Sequence, residues 1–298
     1  MTELPTLTTL DTIARESGAL AMVAMDQRES LRTMFDAAGK GRPDDSVLVD
    51  FKRTVADVLG PVASGFLIDR EYGFDEIRST LDPSTGLILA ADALAQDDGG
   101  PVDDTDLDPV VLAPDFDLSG VSALKLLIIW RRDDQRERRL QLAQDFVQAA
   151  TERGMLSVLE PVVRATPAEL DSGTWNTEDA IVEAARELST VGQSLYKAQV
   201  PLAGAGNPTE QLRESERLDE AIDGPWVVLS QGVGRENFAS AVEAACRGGA
   251  SGFLAGRALW SDVVGSSDVS AQLKTVSLPR LRALIDIVDR CARPWSES

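Results

Sequence analysis

Lys125 and Lys197 each lie inside an apolar run, ALKLLIIW at 123–130 and LYKAQVPL at 195–202. A lysine with such neighbours enters a protein interior only with a partner, because an unpaired ammonium loses its hydration there. Two further runs carry carboxylates: Asp26 closes ALAMVAMD (19–26), and Glu160 sits within LSVLEPVV (156–163). One reading is a structural ion pair. The other is Schiff-base chemistry. Burial and a second nearby cation both lower a lysine's pKa, leaving an amine that can attack a carbonyl while Glu160 or Asp26 moves protons. Two lysines and two acids spread over four different runs favour the second reading.

The chain contains no histidine in 298 residues. This excludes Ser-His-Asp and Cys-His nucleophile systems and the zinc sites that depend on imidazole. Acid–base work near neutral pH is left to carboxylates, lysine, tyrosine or cysteine. There is no P-loop pattern and no GxGxxG after a strand, so nucleotide binding has no support. No metal and no cofactor are expected.

A second constellation lies near the C-terminus, in PWVVLSQG at 225–232 and SGFLAGR at 251–257. Ser230 and Gly232 offer a hydroxyl and backbone N–H groups, Gly256 permits close approach, and Arg257 brings a fork of donors. These residues make a candidate anion site; the alternative is ordinary loop glycines beside a surface arginine. Asp26-Gln27-Arg28 closes the first run, and Gln27 is a further candidate substrate contact.

Eight apolar runs in all must position these groups: 19–26, 65–69, 86–92, 123–130, 156–163, 195–202, 225–232 and 251–257. Continuous apolar runs of this length suit parallel strands buried on both faces. The segments between them are helical in pattern. Residues 236–248 place Phe238, Ala241, Val242, Ala245 and Cys246 on one stripe. Residues 177–190 open with Glu178 and Asp179, where carboxylates favour the helix dipole. Residues 133–153 and 278–292 repeat the pattern. Eight strands alternating with helices predict a single α/β domain over 1–298, a (β/α)8 barrel, with a doubly wound sheet as the alternative. In a barrel the site lies at the C-terminal strand ends; Asp26, Ser230 and Gly256-Arg257 fall late in their runs, while Lys125 and Lys197 lie within theirs. The acidic stretch 93–121, with Asp97, Asp98, Asp103, Asp104, Asp106 and Asp108, reads as a solvated loop, since its spacing fits no EF-hand.

Composition narrows the partners. Lys plus Arg number 29 and Asp plus Glu 49, a net charge of −20, which argues against nucleic acid. No run of 18 apolar residues exists, so no membrane span is expected. The polar, acidic start MTELPTLTTLDTIARESG lacks the features of a signal peptide, and a cytoplasmic location is expected. Cys246 and Cys291 make no disulfide framework and read as small buried hydrophobes.

Several motifs together resemble the bacterial class I aldolases of the tagatose-bisphosphate and sulfofructosephosphate group. They are MDQRES (25–30), LIDREYG (67–73), ALKLL (123–127), LEPVVR (159–164), LYKAQVPL (195–202), VLSQGV (228–233) and GFLAGRALW (252–260), and the resemblance runs over about residues 8–292. LKLLIIWRRDD and LEPVVR are similar to the sulfofructosephosphate branch, LIDREYG to the tagatose branch. The resemblance implies Lys197 as the Schiff-base lysine, with Lys125, Glu160 and Asp26 as its charged companions. It also implies Ser230, Gly232, Gly256 and Arg257 as the site for the phosphate of a dihydroxyacetone phosphate half. Two positions depart from the family: Gln199 stands where a glutamate is usual, and Gln231 where a small residue is usual.

The expected activity is metal-independent aldol cleavage of a phosphorylated ketose by a homo-oligomeric enzyme. Arg164 and Arg131 are arginines that the resemblance does not place in the tagatose branch. As donors for a sulfonate, they point to 6-deoxy-6-sulfofructose 1-phosphate, with tagatose 1,6-bisphosphate as the alternative. A non-catalytic sugar-phosphate sensor is a second alternative, motivated by Gln199 and Gln231.

Overall fold

Each of the eight runs forms a strand in the computed structural model, which describes residues 8–298; residues 1–7 of the polar start lie outside the described residues. The barrel strands are β1 (Leu20–Met25), β2 (Gly65–Ile68), β3 (Gly86–Ala90), β6 (Val121–Trp130), β7 (Leu156–Val163), β8 (Leu195–Ala198), β9 (Trp226–Val228) and β10 (Gly252–Ala255). Two more, β4 (Asp92–Ala95) and β5 (Asp104–Leu107), form a separate antiparallel hairpin. The eight close in the order β1-β2-β3-β6-β7-β8-β9-β10 and back to β1, every pair parallel. The fold is the expected (β/α)8 barrel rather than a doubly wound sheet.

The two-residue period of a strand sorts each run into an inner and an outer set. On β1, Leu20, Met22 and Ala24 join the barrel interior, with Ile88 and Ala90 from β3, Leu156 and Val158 from β7, and Leu195 from β8. Ala21, Val23 and Met25 pack outward with the helices. Continuing the inner period by one step reaches Asp26, Asp92, Glu160 and Lys197; on β6 it runs from Ala123 to Lys125. The polar groups are therefore the top layer of the same stacked interior whose lower layers are aliphatic. At the other end, the 3-10 turn Leu10–Ile13 and Trp295 pack against the interior. Gly86 allows the first of these contacts: a Cβ there would come within 2.1 Å of the Thr12 carbonyl oxygen.

The helices start close to where the sequence placed them. Arg136–Glu152 begins three residues later than 133, because Asp133 accepts from the Gln135 N–H and binds Arg139, ordering a turn first. Asn176 caps Thr177–Leu188 through its side chain. A 3-10 turn, Arg235–Asn237, precedes Phe238–Arg247. Cys246 is buried, as expected of a packing residue, and burial pushes its thiol up. Leu278–Cys291 ends the helical layer.

The clearest difference from expectation is the acidic stretch. It is not a bare loop. Asp92 to Ala95 pair with Leu107 to Asp104, and the connecting tip folds over the barrel mouth. Arg131 binds Asp103 (2.6 Å) and Arg138 binds Asp104 (2.8 Å), while the Gly99 N–H donates to Glu29 (3.2 Å). Cations from elsewhere in the chain thus neutralise a segment that looks self-repelling when read alone. Among the described residues, no helix is long and apolar enough to cross a membrane.

Candidate active site

Lys125, near the middle of β6, ends in a ring of three carboxylates. Its Nζ lies 2.8 Å from Asp26, 3.0 Å from Asp92 and 2.8 Å from Glu160. The other oxygen of Glu160 lies 2.8 Å from Lys197 Nζ. The far oxygen of Asp92 accepts from Arg28 (3.0 Å), whose second nitrogen donates to the Asp92 carbonyl (3.0 Å). Charges alternate along the chain of contacts Arg28, Asp92, Lys125, Glu160, Lys197, with Asp26 as a branch. Both lysines are about 3% exposed, so this alternation is what makes their burial tolerable.

The electrostatics follow from the contacts. Burial works to lower the Lys125 pKa, but Asp26, Asp92 and Glu160 overcome it and hold the ammonium well above the ordinary lysine value. Burial works to raise Asp26, but Lys125, then Lys197, hold it far below the usual carboxylate range. These contacts favour the ammonium form of Lys125 and the carboxylate form of Asp26. The position a metal would occupy among Asp26, Asp92 and Glu160 is filled by Lys125 Nζ, and among the described residues no cluster of three metal-ligating side chains is free to take an ion.

Around this centre lies a pocket whose lining includes Lys125, Lys197, Arg28, Arg164 and Arg257 against Asp26, Glu29, Asp92 and Glu160. That local balance of +1 contrasts with −20 for the chain. Gln27, Ser230 and Gly256 also line it. Ser230 Oγ accepts from the Gly256 N–H at 3.3 Å, joining the ends of β9 and β10. A Cβ on Gly256 would meet the Ala24 carbonyl oxygen at 2.7 Å and Gln27 Nε2 at 3.1 Å, so only glycine fits between these groups. Two buried polar atoms here have no protein partner: Gln27 Oε1 and Arg28 Nε. Arg257 and Arg164 make no ion pair among the described residues, and burial pulls both below the ordinary arginine value without discharging them. Ile129, Val162 and Leu229, with Val102 from the hairpin tip, form a separate apolar wall.

The site therefore gathers Asp26, Gln27, Lys125, Glu160, Arg164, Lys197, Ser230, Gly256 and Arg257 in one place. Two candidates fall outside it. Arg131 is bound to Asp103 of the hairpin and does not line the pocket; its donors serve the hairpin. Gly232 is exposed, at φ +81°, in the turn beyond Ser230, and does not line the pocket either. Of the two departures, Gln231 lines the rim, whereas Gln199 accepts from the Val163 N–H (2.6 Å) and serves the end of β7.

Sequence reasoning missed Asp92 and Arg28. The signal for Asp92 was present, since it is the next inner position after Ile88 and Ala90. It also missed Lys52, fully buried against Asp69. Lys52 stands on the apolar stripe of helix Asp45–Leu59, with Leu48, Val55 and Ala56.

Residues 20–262 match the family model described as DeoC/LacD family aldolase. The chain belongs to that aldolase family. It is an enzyme, an aldehyde-lyase of the class I type. A protein from Listeria monocytogenes named tagatose 1,6-diphosphate aldolase is 28% identical over 315 aligned positions, covering 96% of this chain and 92% of that one. Among solved structures, the aldolase barrel superposes on a fructose-bisphosphate aldolase from Plasmodium falciparum with TM-score 0.70 and 13% identity, covering 96% of this chain and 95% of that one. An archaeal fructose 1,6-bisphosphate aldolase superposes with TM-score 0.62 and 17% identity, covering 96% of this chain and all of that one. At such identities the two structures speak for the fold of this aldolase and for nothing finer.

Proposed function

We propose that this aldolase cleaves a ketose carrying an anion at each end, with tagatose 1,6-bisphosphate as the first substrate to test. The observation that carries the reading is the pair of arginines without carboxylate partners, Arg257 and Arg164, in a pocket built around Lys197. In a protein so rich in acids, an arginine left unpaired in a pocket is available for a ligand anion. Arg257, with Ser230 and Gly256, takes the C1 phosphate. Arg164 takes the anion on C6. The name of the Listeria relative supports the bisphosphate.

The chemistry needs no further groups. Lys197 Nζ attacks the C2 ketone, and the resulting carbinolamine loses its oxygen as water to give an iminium. Glu160, in contact with Lys197, carries the protons of these steps. The C4 hydroxyl then gives up its proton as the C3–C4 bond breaks; that bonding pair becomes the C2=C3 double bond of an enamine, and the iminium π pair returns to nitrogen. The aldehyde half leaves. Protonation at C3 and hydrolysis release dihydroxyacetone phosphate and restore Lys197. We assign the C4 proton to Glu160 as well. Asp26 is the other acid the sequence offers for proton transfer, but Lys125 and Lys197 hold it below the usual carboxylate range, which makes it a weaker proton acceptor, and its part is to stabilise the neighbouring cations. Gln27 Oε1 is an open acceptor for a substrate hydroxyl.

A second reading, 6-deoxy-6-sulfofructose 1-phosphate, rests on Arg164 alone, since a guanidinium fork suits a sulfonate as well as a phosphate. Measuring kcat/KM on both compounds decides between them. Preference for tagatose 1,6-bisphosphate supports the first reading, and preference for the sulfonate replaces it. Binding with neither turnover nor borohydride trapping is the signature of a sensor and overturns both.

A further inference from the structure

Two lysines on different strands touch the same glutamate, and residue type alone does not say which is the nucleophile. Their surroundings differ in one respect. Lys197 has one carboxylate partner, Glu160, whereas Lys125 has three. Asp26 and Glu160 retain some exposure to the pocket, at 11% and 10% of their side chains, and Asp92 is only 2% exposed.

Both Asp92 oxygens are engaged within the protein, and the side chain is almost wholly shielded from a substrate. One oxygen accepts from Lys125 (3.0 Å) and from the Leu127 N–H (3.1 Å), and the other from Arg28 (3.0 Å). Its backbone carbonyl takes the second Arg28 nitrogen (3.0 Å). Its place explains the arrangement. The β3–β6 ladder ends with Ala90 opposite Lys125 and the Ala91 N–H donating to the Lys125 carbonyl (2.8 Å). At Asp92 the backbone turns into the hairpin, pairing with Leu107. The carboxylate then holds Leu127 and Lys125 where the ladder has left off.

We propose that Asp92 is a positioning residue of the cleavage site: by clamping Arg28 and Lys125 onto one carboxylate it makes Lys125 the fixed ammonium and leaves Lys197 as the nucleophile. The proposal rests on the aldolase reading of the pocket. The groups facing Lys125 are Asp26 beyond β1, Asp92 beyond β3, Glu160 on β7 and, through Glu160, Lys197 on β8. Removing one opposite charge at this distance lowers a lysine pKa by about one unit or more, so at a fixed alkaline pH the free-amine fraction of Lys125 rises about tenfold.

The test is the rate of acetylation of Lys125 by acetic anhydride at fixed alkaline pH, followed by mass spectrometry on the whole enzyme, in wild type, Asp92→Asn and Asp92→Glu. The expected result is about tenfold faster modification of Lys125 in Asp92→Asn and a rate near wild type in Asp92→Glu, which restores the charge. With it, kcat falls about tenfold or more in Asp92→Asn while KM stays within about threefold, the split expected when orientation and not substrate binding is lost. Lys125 protected equally in wild type and Asp92→Asn overturns the proposal. If Asp92→Asn does not fold, Asp92→Ser carries the same comparison, since its hydroxyl still accepts a hydrogen bond but bears no charge. The labelling needs no turnover. Failure of the aldolase reading therefore shows separately, as absence of a borohydride adduct on wild-type Lys197.

Discussion

Glu160 bridges the two active-site lysines, one oxygen 2.8 Å from Lys125 and the other 2.8 Å from Lys197. A carboxylate in contact with both lysines is placed to exchange protons with either of them. The bridge also ties Lys197, the proposed nucleophile, to Lys125, which contacts two further carboxylates, Asp26 and Asp92.

Replacing Glu160 by glutamine keeps the shape and removes the base. We expect kcat to fall about 10²- to 10⁴-fold, the usual range for losing a positioned acid–base group. KM should change little, because Arg257 and Arg164 remain. Steady-state kinetics check both. A kcat within about threefold of wild type contradicts the assignment.

The two unpaired arginines give a second prediction. A charged hydrogen bond contributes about 1.5–3 kcal/mol, so Arg164→Ala should cost roughly 10- to 100-fold in kcat/KM on a substrate with an anion at C6. On tagatose 1-phosphate, which has no second anion, the same variant should act about as well as wild type. Arg257→Ala should lose a similar factor on both. Equal losses for Arg164→Ala on the two substrates would place its contact elsewhere.

Stability is predicted to depend on Lys52 and Asp69, both fully buried. Asp69→Asn leaves the ammonium without its counter-charge, and breaking a buried pair costs about 3–5 kcal/mol. The double replacement Lys52→Met, Asp69→Leu should recover most of that loss, since a buried pair and an apolar pair of similar volume differ little. Urea unfolding midpoints measure each variant.

Asp26 fixes a pH dependence. Its folded pKa lies far below its unfolded value near 3.8, because Lys125 and Lys197 outweigh the opposing effect of burial. The unfolded chain therefore takes up a proton that the folded one refuses. The stabilisation is fully present above about pH 5 and is lost progressively as the pH falls through the unfolded value toward the lowered folded one. Wild type should lose urea resistance between about pH 5 and pH 2, and Asp26→Asn should show a flatter profile over that interval. Parallel profiles would mean that Asp26 is not held ionised by the lysines.

The strands and the site were largely legible in the sequence for one reason. A barrel buries its strands on both faces, so any charged residue inside such a run, such as Lys125 or Lys197, stands out. Asp92 did not stand out, because a run ending in aspartate looks the same whether the acid turns inward or begins a loop. Its partners, Arg28 and Lys125, are 64 and 33 residues away in the chain. Lys52 was hidden for a similar reason: a lysine on a helix reads as solvated, and only the stripe it shares with Leu48 and Val55 marks it as buried. The hairpin was illegible because acidic residues disfavour strands, and the arginines that neutralise it, Arg131 and Arg138, come from the far side of β6.

Lys197 is the residue proposed to form the covalent bond to substrate. Incubation with tagatose 1,6-bisphosphate and sodium borohydride, followed by peptide mass spectrometry, tests it most directly. The expected result is an irreversible adduct on the peptide containing Lys197, absent in Lys197→Arg, with Lys125 unmodified. An adduct on Lys125 with Lys197 free, or wild-type turnover of this substrate without any adduct, would contradict it.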